Sequence, residues 1–317
     1  MDDIPNLPGR LAARWRRTPL RPWVVLGVSA ILLGLAARAM DLGAALAALG
    51  RIGALHWGAA LVFLGLNIVL SVVRFRAILA AAGHALAPGR AFAVGVHSLV
   101  AGLLPFQIAG QIASRAWMLA PHGVNAARVA ALTVYEKATS LLVCLLLLGA
   151  GLLVLAGRPG LVLPALLAGF APHMPTPDAA IPLLGLLCLG GVAVAGGFVL
   201  LRRASVRGVL VSLGVTLGAQ LAVMVAYAVL AAGLVPGMSF AALLAASALV
   251  MYAAALPVSA GGWGVREVAS VAVLGALGIG AAEALLASVL TGLLSLVVLG
   301  AAAVAAALLG REAAAGA

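Results

Sequence analysis

The charged residues of this chain are few, and several stand directly beside predicted breaks in the backbone. The stretch LPVSAGGWGVRE, residues 256–267, holds Pro257, Gly261, Gly262 and Gly264 and ends on the adjacent pair Arg266–Glu267. Residues 241–255 before it and 268–282 after it carry no charge. A second such place lies in residues 97–123, where Pro105 and Gly110–Gln111 precede Arg115. A third is Glu136–Lys137, inside the apolar run 129–157. A guanidinium suits phosphate because its planar fork makes two parallel hydrogen bonds. A helix restarting near Gly264 presents free N–H groups and a positive dipole end, which also suits an anion. The candidate substrate-binding residues are therefore Arg115, Gln111, Glu136, Lys137, Arg266 and Glu267, with Gly261, Gly262 and Gly264 forming the break. The expected chemistry is recognition of an anionic group. A plainer reading makes Arg115 and Arg266 members of structural ion pairs with Glu136 and Glu267. A charge at the membrane centre is unfavourable by about 2.5–3.5 kcal/mol, so either reading requires a partner.

Such residues need a frame, and the composition says which kind. Of 317 residues, 65% are hydrophobic and only 9% charged. That combination implies an all-α polytopic membrane protein, because helices of about 20 apolar residues span the hydrocarbon. The alternation of a β-barrel is absent. Six full spans are expected, at about 22–39, 54–73, 129–157, 181–201, 209–233 and 284–309. Two further elements are too short and too interrupted for ordinary spans: hairpin one, about 91–121, and hairpin two, about 239–281. Non-helical backbone at membrane depth survives only when buried in protein or lining a wet cavity, so both are read as re-entrant. Two full crossings each would give the same parity, and a surface loop between short helices is the other alternative for residues 256–267.

Charge supplies the orientation. The net charge of +11 is almost all arginine. With residues 1–21, 74–90, 202–207 and 311–317 on one side, the positive-inside rule places both termini in the cytoplasm and the single domain 22–310 in a bacterial inner membrane. Residues 158–180, rich in proline, are expected outside, with a short interfacial helix near 161–171. Arginines scattered between spans argue for anionic lipid and against nucleic acid. Cys144 and Cys188 lie in apolar stretches and read as core residues. The five histidines have no ligand spacing, and no metal or other cofactor is expected. No P-loop, dinucleotide or nucleophile-elbow motif is present.

The two hairpins align without a gap at a shift of 152 residues. Ala101 falls on Ala253, Leu104 on Leu256, Pro105 on Pro257, Gly110 on Gly262 and Leu141 on Leu293. An odd number of spans between them makes the repeat inverted. Paired Gly/Pro breaks in inverted repeats usually flank a midplane site. Chance matching in a chain rich in Ala and Leu is the competing explanation.

The residues LPVSAGGWGVRE, together with Pro105, Gly110–Gln111, Arg115 and Glu136–Lys137, resemble the lysylphosphatidylglycerol synthase transmembrane-region family, a flippase-like membrane domain. The resemblance runs over about residues 20–310. It implies movement of a lipid, or a lipid-linked group, between leaflets. Gln111 stands where the family pattern has an acid, Lys137 where it has arginine, and Ser140 where it has a second acid. Bifunctional relatives carry a soluble aminoacyl-transferase domain. With the sequence ending at Ala317, lipid movement rather than lipid lysylation is the expected part of the job. Two other classes stay open: an intramembrane lipid-modifying transferase using Glu136 or Glu267, and a membrane partner that docks a lipid-synthesis enzyme.

Overall fold

The computed structural model describes residues 31, 34, 42–103, 107–155, 206–256 and 260–315. The expected spans at 22–39 and 181–201, the segment 158–180, the basic stretch 1–21, and Pro105, Pro257 and Cys188 lie outside the described residues. Among those described, every element is a helix: α1 (Leu42–Leu49), α2 (Ala54–Ala81), α3 (Pro88–Ala101), α4 (Gln107–Leu119), α5 (Ala126–Leu155), α6 (Val206–Leu234), α7 (Phe240–Ala255), α8 (Val265–Gly275) and α9 (Ala281–Ala315). Four of them, α2, α5, α6 and α9, are long and apolar enough to cross a membrane.

Local sequence explains the helix boundaries. Pro88 opens α3, where its missing N–H is no loss. The Asn125 side chain accepts from the Arg128 amide at 2.8 Å and starts α5. Ser239 accepts from the Ala242 amide and starts α7. At 14, 13, 16 and 11 residues, α3, α4, α7 and α8 are each about 16–24 Å long, less than the hydrocarbon thickness of about 30 Å. In the first hairpin the limbs run antiparallel, since Gly110 meets the Ala101 carbonyl and Arg115 meets Ser98. Short links join each hairpin to the preceding and following span. Each hairpin therefore has one mouth, on one face of the bundle.

The breaks explain their glycines. Gly262 has φ +83°, and a Cβ there would stand 2.9 Å from the Ala254 carbonyl oxygen. At Gly110 the place of a Cβ is taken by the Ala101 carbonyl. The two hairpins thus fold back on themselves in the same way, with a helix-end carbonyl seated against a glycine.

The repeat extends well beyond the hairpins. Ala54 and Val206 open their spans 152 residues apart, and so do Pro88 and Phe240. The packing follows the same exchange. α3 lies on α9 as α7 lies on α5, and α2 lies on α9 as α6 lies on α5. α2 packs on its own equivalent, α6. That pair is antiparallel: His56 at the start of α2 touches Gly233 near the end of α6, and Ala77 and Ala81 share a cleft with Gly208 and Ser212. At the centre, Asn67 Nδ2 donates to the carbonyl of Ala219, the residue 152 positions on, at 2.7 Å. A residue that touches its own equivalent marks a pseudo-two-fold axis. Because the equivalent helices are antiparallel, that axis runs across the spans, and the two hairpin mouths open on opposite faces.

One sequence expectation needs correction. The second span was expected to stop at Arg74 and Arg76, with 74–90 as a loop. The helix instead continues to Ala81, and Arg74 is buried inside it. Its guanidinium has a carboxylate partner on another helix, which removes the reason for ending a span at a charge.

Candidate functional site

Two clusters of buried charge occupy equivalent places in the two halves. The first is built by α2, α3, α4 and α5. Glu136 stands ten residues into α5, on one face with Thr133 and Ser140. Its Oε2 accepts from Arg115 Nη1 of α4 at 2.6 Å, and its Oε1 accepts from Arg74 Nη2 of α2 at 2.6 Å. Arg115 also donates to Ser98 Oγ at 3.1 Å and Thr133 Oγ1 at 3.2 Å, and its guanidinium lies over the Phe75 ring at 4.4 Å. Arg74 Nη1 donates to Ser140 Oγ at 2.7 Å, while its Nε–H is buried without an acceptor. Two arginines share one carboxylate.

The second cluster is built by α8 and α9. Glu267 Oε1 accepts from Arg266 Nη2 at 2.8 Å and from Ser288 Oγ at 2.9 Å. Its Oε2 accepts from the Gly264 amide at 2.5 Å. Arg266 Nε reaches Ser288 Oγ at 3.0 Å, and its guanidinium lies over the Trp263 ring at 4.9 Å. The amide expected to await an external anion at the start of this half-helix is already held by the protein's own carboxylate. Arg74, Arg115, Glu136, Arg266 and Glu267 are all between 0% and 8% exposed.

Both clusters join residues 21 apart, Arg115 to Glu136 and Glu267 to Ser288, and the pairs superpose at the 152-residue shift. The same shift places Phe75 on Tyr227, and each contacts the second limb of its hairpin. Phe75 supports Arg115, and the Tyr227 hydroxyl bonds Ser270.

The structure thus brings Arg115 and Glu136 together in one site and Arg266, Glu267 and Gly264 in another. Gly261 and Gly262 form the break itself, both at positive φ. Gln111 is buried on the inner side of the first hairpin, against Gly102, with Oε1 unpartnered. Lys137 is partly buried and has no carboxylate within 4 Å among the described residues. Arg74, Ser98, Ser288 and Trp263 were not singled out from sequence. The 152-residue shift carried the signal for Ser288, which falls on Glu136. Among the described residues no three of His, Cys, Asp and Glu come together as a metal site.

An inverted pair of helical repeats, each with a short broken hairpin and a buried Arg–Glu cluster, defines a polytopic helical membrane domain. Residues 23–303 match the model of the lysylphosphatidylglycerol synthase TM region, and the chain belongs to that family. The match makes it an integral membrane domain linked to lipid handling, of a kind separate from the transferase domain. No curated protein matches the chain.

Proposed function

We propose that this protein is a lipid translocase, moving a lipid or lipid-linked group with an anionic headgroup between leaflets of a bacterial inner membrane. The observation that carries this reading is the inverted pairing of two glycine-broken hairpins, each with a buried arginine on its second limb, Arg115 and Arg266. A transporter built from inverted repeats exposes one central site to either side by rocking one half against the other. The headgroup engages Arg115 and its neighbours while the acyl chains remain in the bilayer. With no nucleotide motif, lipid flux or an ion gradient supplies the drive. Both termini are cytoplasmic in this reading, and a lipid-synthesis enzyme on that face is a fitting partner.

The test is reconstitution. Vesicles holding the purified protein should move a fluorescent anionic lipid between leaflets, and Arg115→Gln should abolish the movement in protein that still folds. Turnover of the lipid in detergent, where no leaflets exist, would instead favour the intramembrane transferase. A reporter active only outside the cytoplasm should be silent when fused after Arg311.

A further inference from the structure

The link between α1 and α2 belongs to the first half, yet it lies against the second hairpin. Arg51 Nη2 donates to Glu283 Oε1, in the first turn of α9, at 2.9 Å. At the other end of the link the His56 ring packs on Gly233 near the end of α6, where a Cβ would stand 3.1 Å from His56 Cγ. α6 leads into the first limb of hairpin two, and α9 leaves its second limb. Residues 51–56 therefore run from one neck of that hairpin to the other, across its mouth. The crossing is packed as well as tied. Ala48 and Ile52 are buried in one core with Leu234, Leu243, Leu274 and Ile279. Those four come from the end of α6, the start of α7, the end of α8 and the α8–α9 link. The strap's own backbone is fixed by turns, with the Arg51 and Ile52 amides donating to the Ala48 and Leu49 carbonyls. The first hairpin lacks this tie, because the equivalent of Glu283 at the 152-residue shift is Ala131.

We infer that Arg51 and Glu283 form a gate over the mouth of the second hairpin, paired when that mouth is shut and parted when it opens. The mouth widens only if its two necks separate, and the strap joins both necks. The pair suits reversible use. Its side chains are 45% and 22% exposed, so water solvates both charges when they part, unlike the buried clusters. An exposed pair of this kind adds little to stability and separates readily. The carboxylate also lies folded over the α8–α9 link, since a Cβ at Gly280 would stand 2.5 Å from Glu283 Oε2. One carboxylate thus holds both the strap and the link. The inference rests on the translocase reading and names the residues that keep one of its two mouths shut.

Arg51→Cys and Glu283→Cys are combined with Cys144→Ala and Cys188→Ala, and a reducible bis-methanethiosulfonate bridges the pair. In vesicles the bridged protein should stop moving a fluorescent anionic lipid, and reduction should restore the movement. The same reagent on either single substitution should leave movement unchanged. A second measurement needs no transport. In nanodiscs, Ile279→Cys in the chain with Cys144→Ala and Cys188→Ala should react slowly with a water-soluble maleimide. Adding Glu283→Gln should raise that rate about two- to fivefold, the range for losing an exposed pair. The exchange of Arg51→Glu with Glu283→Arg should return the slow rate, which a loss of folding would not allow. Normal lipid movement by the bridged protein overturns the gate and leaves the translocase reading standing, and so does an unchanged maleimide rate in Glu283→Gln. Absence of movement by the unbridged protein sinks the translocase reading, while the maleimide rates still decide whether the strap shuts the mouth.

Discussion

The two halves present the same scaffold with different charge balances, two arginines on one carboxylate in the first cluster and one on one in the second. In the second cluster both charges are matched inside the protein: Arg266 has Glu267, Ser288 and the Trp263 ring, and Glu267 also has the Gly264 amide. In the first half Arg74 has been added where its equivalent is Ala226, and Lys137 where its equivalent is Val289. Gln111 stands where the second half has Trp263, so the first cluster lacks the indole that covers the second. Equivalence of backbone thus does not carry equivalence of role. The closed cluster serves as a latch that fixes the broken hairpin against α9. The first cluster keeps one buried donor, the Arg74 Nε–H, without an acceptor among the described residues.

The comparison breaks most readily at the carboxylates. Glu136→Gln strands two buried arginines, and its thermal or denaturant stability should fall by about 3–5 kcal/mol, the range for breaking a buried pair. Glu267→Gln strands one arginine that keeps its ring and hydroxyl contacts, so the loss should be smaller. Equal losses would show that the first half's extra charge has no energetic weight.

The arginines separate stability from function. Arg115→Gln should reduce lipid affinity ten- to hundred-fold, equivalent to about 1.5–3 kcal/mol. Arg266→Gln should lower the yield of folded protein while the surviving molecules move lipid at the normal rate. Transport lost from well-folded Arg266→Gln protein would make the second cluster a binding site too.

The position shared by Ser140 and Gly292 sharpens the contrast further. A Cβ at Gly292 would stand 2.7 Å from Trp263 Cη2 and would also meet the Arg266 guanidinium. Gly292→Ala should therefore destabilise by about 1–3 kcal/mol through overpacking. Ser140→Ala removes one bond to Arg74, and about 1.5 kcal/mol or less is expected. A larger effect at Ser140 than at Gly292 would reverse the assignment of the tighter cluster. The smallest expected effect is Tyr227→Phe, which loses only the bond to Ser270, about 1 kcal/mol.

Much of this architecture is legible in the residues alone. Pro and Gly punctuation marked both hairpins, because helix interiors tolerate neither cheaply. The 152-residue shift found the repeat, and its own logic extends to Glu136 and Ser288. Thr133, Glu136 and Ser140 share one helix face and form a polar seam within the first cluster, Ser140 only partly buried. Arg74 was misplaced for a physical reason. Hydropathy treats an arginine as a span end, and nothing local to residue 74 announces a carboxylate 62 residues away. The occupancy of the Gly264 amide was hidden differently. Glu267 follows Arg266 directly, which suggested a simple neighbouring pair, while its second oxygen turns back to cap the helix.

The seam at Asn67 has a consequence for how the chain is made. Its acceptor, Ala219, is synthesised 152 residues later. At about 5–20 residues per second, that is roughly 8–30 s of elongation. During that interval α2 sits in the bilayer with no α6 to pack against and an amide facing lipid. The charged residues face no such delay. Arg74, Arg115 and Glu136 emerge within the first 136 residues and can close their cluster before the second half exists. The order of synthesis therefore pairs the charged groups first and leaves the largely apolar α2–α6 seam, with its one amide at Asn67, to wait for its partner.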